Sequence, residues 1–122
     1  MGARILVIED DPADADALVD LLRGAGHEVK LATTGGEGLA LAREWKPGLV
    51  LCDLVLPDVG GVYVSLRMKS DPALAAVPVI AVTSLSAFDT GSSVVGVGFA
   101  ACVSKPYDPQ TLLRQVDAAL SR

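Results

Sequence analysis

Five short apolar runs punctuate the chain, at positions 4–8, 28–32, 48–52, 77–82 and 100–104. The first, third and fourth are nearly unbroken Ile, Leu and Val, the pattern of strands covered on both faces within a parallel sheet. The second and fifth are more polar and suit the edges of that sheet. Helical patterns fill the intervals. Asp11-Pro12 offers an N-cap followed by proline at the first helical position, and Leu18, Leu21, Leu22 and Ala25 follow at helical spacing until Gly26 stops the run. Thr34-Gly35-Gly36-Glu37 matches a capping box ahead of a helix over 39–45. A third helix is predicted over roughly 62–69, ending before Asp71-Pro72. Asp108-Pro109 opens the last one, with an apolar stripe of Leu112, Leu113, Val116, Ala119 and Leu120. The segment 87–99 is the poor candidate. It mixes Gly91, Gly96 and Gly98 with Val94, Val95 and Val97, all of low helix propensity, and predicts a short or mobile helix. Strict alternation of strand and helix predicts (βα)5, an open, doubly wound, five-stranded parallel sheet with helices on both faces.

Composition narrows the class. At 122 residues the chain suits a single domain, 1–122, and with 51 % hydrophobic residues it can fill a core without disulfide or metal staples. A net charge of -5 argues against direct nucleic-acid binding, which needs a basic face. Cys52 and Cys102 lie in apolar runs and read as small buried hydrophobes of a reducing compartment. No apolar run has the length of a membrane span, and the N-terminus enters the first strand without a signal-peptide pattern. The expectation is a cytoplasmic protein with no membrane partner. His27 reads as a solvated loop residue and Trp45 as a packing residue.

In such a fold, sites form past the carboxyl ends of the strands. Glu9, Asp10 and Asp11 follow the first strand, Asp53 the third, Thr83 and Ser84 the fourth, and Lys105-Pro106 the fifth. A strand order 2-1-3-4-5 would bring these groups to one crevice. Converging carboxylates call for a hard divalent cation, and Mg2+ suits oxygen donors. A carboxylate so placed can accept a phosphoryl group as an aspartyl-phosphate, and a hydroxyl with an ammonium can hold the remaining oxygens. Asp11 serves better as the helix N-cap than as a metal ligand.

The strings Ile-Leu-Val-Ile-Glu-Asp-Asp-Pro, Leu-Val-Leu-Cys-Asp-Leu-Val-Leu-Pro, Val-Pro-Val-Ile-Ala-Val-Thr-Ser and Val-Ser-Lys-Pro-Tyr, in that order, resemble the receiver domain of two-component response regulators. The resemblance covers essentially the whole chain and implies a flavodoxin-like fold. It implies that Asp53 is the phosphoacceptor, that Asp10 binds Mg2+ directly and Glu9 mainly through water, and that Val55 gives its backbone carbonyl to the metal. Thr83 would be the switch hydroxyl, Lys105 the phosphate-binding lysine, and Lys105-Pro106 a cis bond. The phosphoryl donor would be a phosphohistidine on a sensor histidine kinase or histidine phosphotransfer protein, and the output a downstream protein partner. Beyond its own phosphoryl transfer and slow autodephosphorylation, no enzyme activity is expected.

Three departures stand out. Cys102 occupies the position, three before the lysine, where the family usually has an aromatic switch residue. Gly60-Gly61 stands where an Asp-Gly pair is common, which removes a carboxylate from the third helix's cap but keeps the turn glycine. The soft 87–99 segment falls on the face that usually signals to the partner. Two other readings compete. One is a receiver fold that works as an interaction module without phosphorylation. The other is an aspartyl-nucleophile phosphatase of the haloacid-dehalogenase type, which needs a second Asp where this chain has Val55.

Overall fold

Side-chain alternation along the strands divides the molecule into two cores, one on each face of the sheet. The computed structural model describes residues 2–84 and 98–121. Within them the order is β1 (Arg4–Ile8), α1 (Pro12–Gly24), β2 (Glu28–Ala32), α2 (Gly35–Trp45), β3 (Leu49–Cys52), α3 (Gly61–Ser70), β4 (Val79–Thr83), β5 (Ala101–Ser104) and α4 (Pro109–Leu120). All four strand pairings are parallel and the order is β2-β1-β3-β4-β5, so the two more polar runs do lie at the edges. Ile5, Val7, Leu49, Leu51, Ile80 and Val82 pack on one face with α1 and α4. Leu6, Ile8, Val50, Cys52, Val79 and Ala81 pack on the other with α2 and α3. Each large aliphatic side chain so buried contributes about 1.5–3 kcal/mol relative to exposure.

The fourth strand differs from its expected 77–82 bounds. Pro78 lacks an N–H, pairing in register starts at Val79, and the strand continues to Thr83. Of the two cysteines expected to be buried, Cys52 is fully so, but Cys102, on edge strand β5, is only partly so. His27 is half-buried, and its Nδ1 accepts a hydrogen bond from the Ala3 N–H at 3.1 Å, so it is not a free loop side chain. The helix expected over 87–99 lies outside the described residues except for Gly98 and Phe99, of which Phe99 is buried in the α2/α3 core.

The helix ends follow their local chemistry. The Asp11 side chain accepts the Asp14 N–H at 2.8 Å and caps α1. At its other end Gly26, at φ 94, lets the Gly26 and His27 N–H groups turn back to the Arg23 and Leu22 carbonyls. Thr34 caps α2 through the Glu37 N–H, while the Glu37 carboxylate reaches the Thr33 N–H, one residue earlier than in the usual box. Asp58 adds a bond across the molecule. Its two oxygens accept the Gly35 and Gly36 N–H groups at 2.8 and 2.9 Å, tying the loop after β3 to the start of α2.

That loop is closed by Gly61, whose N–H donates to the Leu54 carbonyl at 3.0 Å. A Cβ at Gly61 would lie 2.3 Å from the Asp53 carbonyl oxygen and 2.9 Å from the Leu54 Cα, both backbone atoms that cannot yield. Gly60 precedes it as an N-cap without a side-chain bond, as the missing carboxylate implies. Gly61→Ala is therefore expected to destabilise the fold by about 1–3 kcal/mol, read by urea unfolding. Asp58 supplies a second test. The Gly36 and Gly35 N–H groups hold its carboxyl below the usual range. Its contribution is thus complete above the unfolded value of about 3.9 and is lost as pH falls through the lower folded value. The stability gap between wild type and Asp58→Ala should be open at neutral pH and close in acid, as thermal melts across pH will show.

Candidate functional site

Glu9, Asp53 and Lys105 each stand immediately past a strand, and each is fixed there by one further backbone bond of the ladder. The Glu9 N–H donates to the Ala32 carbonyl at 3.0 Å, the Asp53 N–H to Ile8 at 3.0 Å, and the Lys105 N–H to Thr83 at 2.8 Å. The sheet therefore sets the backbone of Glu9, Asp53 and Lys105 together. Thr83 closes β4, fully buried and in register with Ser104. The Lys105-Pro106 bond is cis, as the resemblance implied.

The side chains meet at the Lys105 ammonium. Its Nζ donates to Glu9 Oε1, to Asp53 Oδ2 at 2.9 Å and to Asp14 Oδ2 at 3.0 Å. An ammonium has three N–H donors, and three carboxylates receive them. The second oxygens are also engaged: Glu9 Oε2 accepts the Asp11 N–H at 3.2 Å, and Asp53 Oδ1 accepts the Val55 N–H at 3.0 Å. Glu9 and Asp53 are 3 % and 9 % exposed, so their charges are well withdrawn from water. Burial pushes the Glu9 carboxyl up, with Asp53 adding to the rise, while Lys105 and the Asp11 N–H pull the other way. Burial alone would push Lys105 down, but its bonds to Glu9, Asp53 and Asp14 hold it above the usual lysine value. Beneath the site the Cys52 thiol donates to the Asp53 carbonyl at 3.2 Å, and burial keeps it protonated.

Glu9, Asp10 and Asp53 each place a carboxylate oxygen so that all lie within 4.8 Å of one another. An all-oxygen trio with the exposed Asp10 on its solvent side suits a hard cation that keeps several waters, and so fits Mg2+. Val55 stands at the rim, 60 % exposed. Asp11, engaged as a cap, stays outside the trio. Sequence reasoning missed two residues. Asp14 lies one helical turn beyond Asp10 and Asp11, a spacing that returns it to the same side of α1. Asp58 could be sought only as an acid able to reach a neighbouring helix start.

The sequence matches the family model for the response regulator receiver domain over residues 5–117. Protein PilH of Pseudomonas aeruginosa is 36 % identical over 119 residues, which cover 98 % of each chain. The chain spans about half the length of the DNA-binding regulators among its curated relatives, 49 % and 52 % of two of them. The crystal structure of a CheY-like response regulator receiver domain protein from Methanospirillum hungatei superposes with a TM-score of 0.90 at 30 % identity, covering 99 % of this chain and 95 % of that one. The receiver domain of the sensor histidine kinase PA1611 of Pseudomonas aeruginosa, with magnesium coordinated in its active-site cleft, shares the fold at a TM-score of 0.91 and 23 % identity, over 100 % of both chains. The two-face fold, the strand order and these matches agree, and the chain belongs to the response regulator receiver domain family.

Proposed function

We propose that this chain, as one cytoplasmic receiver domain over 1–122, accepts a phosphoryl group from a phosphohistidine onto Asp53 in a Mg2+-dependent reaction, and that the modification switches binding of a protein partner. The observation that carries the reading is the single ammonium shared by Asp53 and Glu9, with Asp10 closing the carboxylate trio beside them. The donor would be a sensor histidine kinase or a histidine phosphotransfer protein, as family membership implies.

Glu9, Asp10, Asp53 and the Val55 backbone carbonyl would hold the ion. Bound Mg2+ would screen the repulsion between the carboxylates and an incoming phosphoryl group. The remaining work falls to the protein's own groups. An Asp53 carboxylate oxygen attacks phosphorus, the new O–P bond forms as the P–N bond breaks, and the imidazole nitrogen leaves with the electron pair and takes up a proton. Lys105 neutralises one side of the transferred group, and Thr83 donates its hydroxyl to a phosphoryl oxygen. The Val55 N–H on Asp53 Oδ1 and Lys105 on Oδ2 fix the plane of the nucleophile before the donor arrives. Hydrolysis of the acyl phosphate by water then resets the domain slowly.

Incubation with phosphoramidate or acetyl phosphate, read by intact mass, should add one phosphoryl group only when Mg2+ is present. Asp53→Ala should abolish the addition, and Lys105→Ala should slow it. No addition under any condition would favour the receiver-fold interaction module that works without phosphorylation. The lifetime of the phosphorylated form tests the rim. Val55 is apolar and borders the route of attacking water, so Val55→Glu should shorten the half-life several-fold, measured as decay of the phosphorylated mass after removal of the donor. An unchanged half-life would remove Val55 from the control of hydrolysis.

A further inference from the structure

The Lys105 ammonium spends all three of its N–H donors on carboxylates, and the three are unequal. The Glu9 and Asp53 side chains are 3 % and 11 % exposed, whereas that of Asp14 is 49 % exposed. Asp14 lies in the first turn of α1, on a different element from the other two. It also lines, with Ala17, Leu21, Lys105, Pro106 and Tyr107, an open groove of about 590 Å3 that reaches the ion pair. A phosphoryl oxygen on Asp53 needs an N–H from Lys105, so one existing bond must be given up. Breaking the Asp53 bond would release the nucleophile from the ammonium that orients it, and breaking the Glu9 bond would leave a buried carboxylate with the Asp11 N–H as its remaining described donor, which is costly. Breaking the Asp14 bond leaves a carboxylate that water solvates at once, and a half-exposed pair of this kind is weak to begin with.

We propose that Asp14 is a positioning residue that acts through Lys105: its carboxylate holds the lysine in the resting site, competes with the incoming phosphoryl group for it, and so slows phosphorylation, most of all by highly charged donors. The inference rests on the phosphoacceptor reading above. Two effects act in the same direction. The phosphoryl oxygens must displace Asp14 from Lys105, and the displaced carboxylate then adds a negative charge beside an anion. The second effect grows with donor charge and is screened by salt.

The experiment measures the rate constant of Asp53 phosphorylation in Mg2+ for wild type, Asp14→Asn and Asp14→Glu. Acetyl phosphate serves as the more charged donor and phosphoramidate as the less charged one, at low and high ionic strength. Asp14→Asn should react about two- to fivefold faster, the scale of a half-exposed ion pair. Its gain should be larger with acetyl phosphate and should shrink with salt, and Asp14→Glu should return towards wild type. In metal-free protein, the Lys105 side-chain 15N signal should exchange with water faster in Asp14→Asn than in wild type, at an unchanged melting temperature. Equal or slower phosphorylation of Asp14→Asn with both donors, or a gain independent of donor charge and salt, would overturn the proposal. An unaltered Lys105 signal would do the same. If wild type itself takes up no phosphoryl group, the phosphoacceptor reading fails; if wild type reacts and Asp14→Asn matches it, only the role of Asp14 fails.

Discussion

Two carboxylates with almost no exposure, Glu9 and Asp53, face the same point in space, and the arrangement is tolerable because Lys105 stands between them. Desolvating an ion costs several kcal/mol, and two like charges add repulsion to that cost. One ammonium, with its second-oxygen partners supplied by the Asp11 and Val55 N–H groups, offsets both. The pull of the carboxylates on Lys105 outweighs its own burial, which is why its proton is held so firmly. A cation site follows from the same imbalance. Four acids, Glu9, Asp10, Asp14 and Asp53, against one lysine leave uncompensated negative charge at the mouth, and Asp10 presents it to solvent.

This charge arrangement depends on a backbone that does not move. Glu9, Asp53 and Lys105 are each pinned by a single bond that prolongs the ladder past its strand, so the sheet sets their spacing: Glu9 and Asp53 end neighbouring strands, and Lys105 ends the strand two beyond Asp53. The strands are held by apolar side chains on both faces. On the far side of Asp53, the loop is braced twice, by the Gly61 N–H on Leu54 and by Asp58 on the first turn of α2. A lattice of local bonds thus presets a site whose charged groups would otherwise spread apart.

The chemistry was legible in the sequence because it lies where periodicity changes. Asp53 and Lys105 follow apolar runs directly, and alternation of strand with helix dictates the parallel sheet that gathers those ends. Asp11-Pro12 and Thr34 were readable because capping is a local interaction between residues three apart. Asp58 was not, since its partners Gly35 and Gly36 are distant in sequence and an exposed loop acid carries no mark of what it reaches. Asp14 was hidden for a related reason: a half-exposed acid in a first turn already has an ordinary explanation, a favourable interaction with the helix dipole. Its bond to Lys105 joins the first helix to the end of the last strand, which only the assembled sheet brings together. The half-exposure of Cys102 follows from its edge strand, which the polarity of the fifth run already marked, but its apolar neighbours pointed to full burial.

The same geometry limits how a change at Asp53 can reach the surface. The row across the sheet beneath the site is Ile8, Cys52, Ala81 and Cys102. It holds no ring to rotate, and the Cys52 thiol is already committed to the Asp53 carbonyl. Within β5 itself, Ala101–Ser104, no bulky side chain stands where the resemblance places an aromatic one. Among the described residues, charge joins Asp53 to the periphery through Lys105 to Asp14, and backbone does so through the Thr83–Lys105 bond. If Lys105 turns from Asp14 to a phosphoryl oxygen, the groove between α1 and the loop after β5 gains a free carboxylate without any displacement of the main chain. Such a signal fades over about 8 Å in physiological salt. A partner that reads this charge would sit close to Asp14 and Tyr107, on the rim of that groove.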